Sequence, residues 1–220
     1  MKIKTVLTKD RLKNHFTYHF WIYLLAAAGC IFGWNLLYTM TEYRSPEEKR
    51  IDVYIQGSVI SEERTDSFLN AVWHTYVPEM ETVETVYMLQ NSQDYYSNVQ
   101  LTVYLMAREG DIYMLSSSDF KSFASQGMFL DLSDPVADGS LNVDGLDLSA
   151  GYVALIDDNG LPAKERSFFG IPASSMKGLS EAMGLDTSDL IIGVTVFNGN
   201  QENVIAFLNG LLQSGRKSND

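Results

Sequence analysis

Phe20 to Tyr38 contains no charged residue, and no other stretch limits so strongly what the chain can become. A run of this length approaches the roughly 20 apolar residues that a bilayer-spanning helix needs. Tyr18, Trp21 and Tyr23 sit at one end and Trp34 and Tyr38 at the other, as aromatic interface belts require. Lys2, Lys4, Lys9, Arg11 and Lys13 precede the run against Asp10 alone, whereas Glu42 comes after it. By the positive-inside rule this predicts a cytoplasmic N-terminus and an extracytoplasmic body. The expected organisation is a basic tail over 1–18, a transmembrane helix over 19–40, and a linker over 41–50. An extracytoplasmic domain over 51–213 and a flexible tail over 214–220 complete it.

Two other addresses compete with an uncleaved anchor. A signal peptide could be cut near Ala26-Ala27-Ala28, but the run continues apolar through Ile31, Phe32, Trp34 and Leu37. Ala27 to Cys30 is similar to a lipobox, which gives the alternative of a lipoprotein anchored at Cys30. Ala27 stands where that motif usually has leucine, and the residues after Cys30 are apolar where a lipoprotein has a polar tether. Cys30 is the only cysteine, so no internal disulfide is available and the fold must rest on core burial.

The body has the apolar content for that core, with 45% hydrophobic and 20% charged residues overall. The formal charge is −12 despite the basic tail. An acidic body without a basic patch excludes nucleic acid as an expected partner, since phosphate contacts need clustered Lys and Arg.

Strand and helix patterns alternate. Ile51–Ile55 alternates as a strand and stops at Gln56-Gly57-Ser58. Ser61 can cap a helix whose Phe68, Leu69, Val72, Trp73 and Tyr76 recur at helical spacing up to Pro78. Thr82–Leu89 reads as a second strand. Asp94–Ala107 fits both periods, and its length favours a helix. Ile112–Leu115 is the third strand. Ser116-Ser117-Ser118 comes next, and Ser117 or Ser118 can cap a helix bearing Phe120, Phe123 and Ala124. Tyr152–Ile156 and Ser167–Ile171 read as paired strands, Ser174–Met183 as a helix and Leu190–Phe197 as a central strand. Gln201–Gln213 is the last helix. The fold class expected is α/β, one helix-covered and mostly parallel sheet, preceded by the membrane helix.

Gly110 to Asp134, the opening strand Ile51–Gly57 and Phe168–Ser174 occur in an order that resembles the extracellular solute-binding proteins of bacterial ABC transporters, sugar binders among them. The resemblance covers most of 50–213. It implies a periplasmic-binding-protein fold in which Gly110–Asp134 ends the third strand and enters a short helix, and Gly170-Ile171-Pro172 marks the crossing to a second lobe. The residues beyond Ser174 suffice to complete one sheet, so one lobe only is expected. The resemblance implies binding of a small polar, sugar-like solute, or service as an accessory to an ABC importer. The competing expectation is a non-catalytic module of a membrane or cell-envelope complex that has lost ligand binding.

The ligand-binding candidates are Gly57, Ser58, Ser116, Ser117, Ser118 and Asp119, where strand ends and a helix start bring backbone donors and hydroxyls to one edge. A cap-and-turn role for the same residues is the competing reading. Trp73, Tyr95 and Tyr96 could stack on a sugar ring, against a core role for Trp73. Asp131, Asp134, Asp138, Asp144 and Asp147 do not match a calcium-loop spacing, so no metal or other cofactor is expected. No hydrolase, phosphate-loop or dinucleotide motif occurs, and His74 is the only histidine beyond the membrane-proximal His15 and His19. No enzymatic activity is expected.

Overall fold

Alternation of large apolar side chains over Arg50–Gln56 makes β1 a strand buried on both faces. In this computed structural model, residues 9–43, 45–57, 61–88, 95–157, 160–195 and 199–216 are described. The chain divides into two units, 1–44 and 45–220.

The first unit is helix α1, Lys9–Thr41. Its segment Thr17–Thr41 is long and apolar enough to cross a membrane.

The second unit opens with a single 3-10 turn, Glu47–Lys49, behind Pro46. After β1 come α2 (Glu62–Tyr76), β2 (Thr82–Met88), α3 (Tyr95–Ala107) and β3 (Ile112–Ser116). Next are α4 (Ser117–Ala124), α5 (Ser133–Ala137), β4 (Tyr152–Val153), β5 (Ser167–Phe168) and β6 (Gly170–Pro172). The last are α6 (Leu179–Met183), β7 (Leu190–Val194) and α7 (Gln201–Arg216). The main sheet has the order β2-β1-β3-β7-β6. β1 pairs in parallel with β2 and β3, placing Tyr54 beside Val86 and Tyr113. β7 runs antiparallel to both β3 and β6, so it alone opposes the other four strands. The sheet is therefore mixed and mostly parallel, with helices on both faces.

Strand alternation sorts the core into two layers. Ile51, Val53, Ile55, Ile112, Met114, Ile192 and Val194 meet Leu69 and Val72 of α2, Leu179 of α6, and Phe207, Leu208 and Leu211 of α7. On the other face Tyr54, Tyr113, Leu115 and Ile191 meet Leu101 and Leu105 of α3 and Phe120 and Ala124 of α4. Tyr54 and Tyr113 stack with ring centroids 4.8 Å apart. Gly110 turns into β3 at φ +81°, and a Cβ there would lie 2.6 Å from the Tyr54 ring. Only glycine satisfies both the backbone and the ring.

Several expectations change on contact with the structure. The helix expected over Ser174–Met183 is two pieces, a 3-10 turn at Ala173–Ser175 and α6 starting only at Leu179. Gly178 precedes α6, and Gly184 closes it in the left-handed conformation. In the Tyr152–Ile171 region β4 pairs with β5 and Ile156 bridges Pro162, while Gly170–Pro172 leaves that ribbon for the main sheet. Residues 214–216, expected to be frayed, finish α7. There the Gly178 amide donates to the Gly215 carbonyl at 3.0 Å, and Arg216 donates to the Asn142 carbonyl at 2.6 Å.

Beyond β6, where the resemblance implies a crossing to a second lobe, the chain does something else. Residues 173–189 form the turn, α6 and a loop, and the chain returns as β7 beside β6 in the same sheet.

Candidate functional site

The ends of β1 and β3 and the start of α4 meet at one edge of the sheet. Gln56, the last residue of β1, is buried with Ser116, the last of β3. The Ser116 amide donates to Gln56 Oε1 at 2.8 Å, and Gln56 Nε2 donates to Asp119 Oδ2 at 2.6 Å. Ser116 Oγ donates to the same carboxylate oxygen at 3.0 Å and accepts from the Asp119 amide at 3.3 Å. Ser116 is thus the helix cap, ahead of both serines expected from the sequence, Ser117 and Ser118. Three consecutive serines cap equally well in isolation; the register of β3 selects the first, because Ser116 is still paired with Leu190.

The other described candidates fall at the same edge. The Ser118 hydroxyl lies 3.1 Å from that of Ser116 and is otherwise exposed. The Ser117 amide donates to the Asp189 carbonyl at 2.9 Å. Gly57 leaves β1 at φ +144° and its amide donates to the Met88 carbonyl at 3.0 Å. Ser58 lies outside the described residues. Gly57, Ser116, Ser117, Ser118 and Asp119 are therefore gathered in one place. Their hydrogen bonds, however, run largely among themselves and to Gln56, Met88 and Asp189. Gln56 was not singled out from the sequence. Its signal was a polar residue on the same strand face as Tyr54, in a strand otherwise rich in apolar groups.

The connection over 173–189 lies against this edge. Thr65 Oγ1 donates to the Met183 carbonyl at 2.6 Å, and Arg64 Nη2 to that of Glu181. A Cβ at Gly57 would stand 3.5 Å from Leu185 Cδ1, so a buried apolar side chain rests where the strand ends open. Chemically, the edge offers the exposed Ser118 hydroxyl and the half-buried Asp119 carboxylate to a polar group from outside.

The other residues considered from the sequence are elsewhere. Trp73 packs against the core and donates its Nε1 proton to the Met80 carbonyl at 3.0 Å. His74 is exposed and stacks on Trp73 with centroids 4.5 Å apart. The side chains of Tyr95 and Tyr96 lie outside what the structure describes. The acidic residues serve their own turns: Asp131, Asp138 and Asp147 accept from the amides of Ser133, Ser140 and Ser149. Hydrogen bonds from Ser140 hold the Asp138 carboxyl below its ordinary range, and those from Ser149 do the same for Asp147. Asp134 and Asp138 also border a cavity of about 740 Å³ with Asn200, Glu202, Asn203 and Ile205, at the start of α7. No group of three or more His, Cys, Asp or Glu suited to a metal occurs among the described residues.

A second buried polar group lies near the start of β1. Asp52 accepts from Arg50 Nη2 at 2.9 Å through Oδ2, and its amide donates to Asp111 Oδ2 at 2.9 Å. Asp52 Oδ1 is buried with no hydrogen-bond partner among the described residues. Burial pushes this carboxyl above its ordinary value, and the guanidinium of Arg50 only partly offsets that.

No protein-family model matches the sequence, and no curated protein matches it. Solved structures do. A family 1 extracellular solute-binding protein from Alicyclobacillus acidocaldarius subsp. acidocaldarius DSM 446 matches at 14% identity and a TM-score of 0.41, over 60% of this chain and 29% of its own. An ABC transporter solute binding protein from Thermotoga lettingae TMO, bound with alpha-D-tagatose, matches at 17% identity and 0.35, over 63% and 34%. The open, unliganded binding protein AttC from Agrobacterium tumefaciens C58 matches at 11% identity and 0.41, over 76% and 81%. The chain thus spans less than a third of the first of these.

Proposed function

We propose that this chain is a membrane-tethered, extracytoplasmic module built on a solute-binding-type lobe, and that it works by docking to a membrane or cell-envelope protein. Catalysis plays no part in this reading. The observation that carries it is the internal use of the sheet edge. Gln56, Ser116 and Asp119 satisfy one another, and Leu185 rests over Gly57. A site that captures a solute needs unspent donors and room at that edge, because unpaired polar groups and burial are what a ligand exchanges for water. The anchor is Phe20–Tyr38, with the N-terminus in the cytoplasm, and the short stretch to Arg50 keeps the module near the bilayer. An ABC permease fits as the docking partner.

A second reading is favoured by Ser118, which is exposed at the start of α4 beside the half-buried Asp119. In this reading Gly57, Ser58, Ser116, Ser117, Ser118 and Asp119 bind a small polar, sugar-like solute weakly, and the chain assists an importer. Thermal melting of the body, residues 45–220, against sugars, amino acids and short peptides separates the two. The docking reading expects no shift across the panel and copurification of a membrane protein with the full chain. A ligand that raises the melting temperature, with the rise lost in Ser118→Ala and Asp119→Asn, overturns it in favour of solute capture. For the address, a cysteine at the exposed Ser122 should react with an impermeant thiol reagent on intact cells. Labelling only after lysis would reverse the topology.

A further inference from the structure

The satisfied end of the sheet contrasts with its outer margin at β2. In the strand order, β2 has a neighbour on one side only. Thr82–Met88 pairs with Arg50–Gln56 along its whole length, and on its other side no backbone hydrogen bond occurs among the described residues. Alternate N–H and C=O groups of β2 therefore face outward, a template for a further strand. The usual guards of such an edge are missing. The strand carries no Lys and no Pro, and its one charge, Glu84, lies beside Asp52 on the face away from α2. On the other face Val83, Thr85 and Tyr87 lie beside Ile51, Val53 and Ile55, the layer that α2 covers. Between this face and the helix is a cavity of about 190 Å³, lined by Asp66, Leu69, Asn70, Val83 and Thr85. Asp66 Oδ1 accepts from the Tyr87 hydroxyl at 2.8 Å. Asp66 Oδ2, the side-chain amide of Asn70 and the Thr85 hydroxyl have no hydrogen-bond partner among the described residues.

We propose that the β2 edge and this cavity receive an extended segment of the docking partner, which joins the sheet as a further strand and places a Lys or Arg side chain against Asp66. Strand addition draws affinity from main-chain hydrogen bonds and selectivity from a pocket for one side chain. Charge selects the occupant. Glu62, Glu63 and Asp66 lie on α2, and the one arginine of that helix, Arg64, donates to the Glu181 carbonyl. A cationic side chain thus enters an acidic surround, and the protons of an ammonium group find acceptors in Asp66 Oδ2, Asn70 Oδ1 and Thr85 Oγ1. A second copy is a poor occupant, because pairing edge to edge would bring two sets of Glu62, Glu63 and Asp66 together. The inference rests on the docking reading and names where that docking occurs.

Photo-cross-linking of the full chain in native membranes tests it, with benzoylphenylalanine in place of Glu84, which is exposed on β2 and outside the cavity. The product should join the chain to another membrane protein, and mass spectrometry should map the attachment next to a Lys or Arg in an extended stretch. Asp66→Asn keeps an acceptor for Tyr87 and removes the charge, so it should lower the yield several-fold with the melting temperature unchanged. A synthetic peptide of the mapped stretch should bind the full chain in detergent and slow hydrogen exchange over Thr82–Met88. N-methylation of alternate peptide residues should weaken binding several-fold in one phase and not in the other, the signature of a strand bonded along one side. Attachment to a second copy or to a helix overturns the inference, as does a yield indifferent to Asp66→Asn. A product from the same probe at Ser122 with none at Glu84 overturns this surface and leaves the docking reading standing. No product at either position and no copurified protein removes both.

Discussion

At the residue scale, the buried polar groups separate into satisfied and unsatisfied ones, and the two behave oppositely. Gln56 bonds both the Ser116 amide and the Asp119 carboxylate. Gln56→Ala should therefore cost ~1–3 kcal/mol, the usual penalty for stranding a buried donor, read as a lower urea midpoint with unchanged slope. Asp52 is the contrasting case, a buried carboxylate whose Oδ1 has no hydrogen-bond partner among the described residues. Its folded pKa is raised above the ordinary value of 3.8, chiefly by burial. The folded state then holds the proton more tightly than the unfolded chain. The resulting stability is fully present below the unfolded value and is lost as pH rises through the folded one. Asp52→Asn should remove this pH slope and leave stability at pH 7 unchanged or up to ~1 kcal/mol higher. Urea melts of both chains between pH 4 and pH 7 check this, and a large loss in the variant at pH 7 would count against it. Gly110→Ala combines a positive φ with a close approach to the Tyr54 ring, and should cost about 3 kcal/mol or more, seen in the same melts.

At the scale of elements, the order of strands and helices was legible because apolar periodicity reports burial directly. Ser61 caps α2 as its position suggested, accepting from the Arg64 amide. Within the stretch where both periods fit, Tyr95–Ala107 is a helix because a 13-residue element with Leu101 and Leu105 one turn apart buries one stripe on the sheet. Direction was not legible. Leu190–Val194 is apolar throughout, and such a strand reads alike either way; pairing with β3 and β6 makes it antiparallel. The candidate edge was legible as a gathering of residues, but its internal hydrogen bonds were not, since they join Gln56 to Asp119 across 63 positions. Nor was the tie between Arg216 and Asn142, which converts an apparently loose tail into the last turn of α7. The caps can be told apart by experiment. Ser116→Ala should cost about 1 kcal/mol and Ser117→Ala much less, because only Ser116 accepts from the Asp119 amide. Chemical denaturation of the two variants side by side gives the comparison.

For the whole molecule, the return of the chain at residues 173–189 decides more than the shape of one edge. β7 enters between β3 and β6, and α7 packs on the same core layer as α2. The strand that covers β3 and joins β6 to the sheet is thus supplied by a segment made well after β1, β2 and β3. Until that segment arrives, β3 presents a bare apolar edge, the kind of surface that pairs with whatever strand comes first. A chain stopped after Asp189 should accordingly be insoluble or fully protease-sensitive, whereas one stopped after Arg216 should match the full body in limited proteolysis. For the extracytoplasmic address proposed above, the same order sets a timing demand on export. An acidic, disulfide-free body delivered in the direction of synthesis must keep its first three strands from pairing wrongly until the later strand is also across. Folding of this lobe is therefore a closing event rather than a progressive one. Its yield depends on how quickly the last stretch, roughly 100 Å of extended chain, joins the first strands.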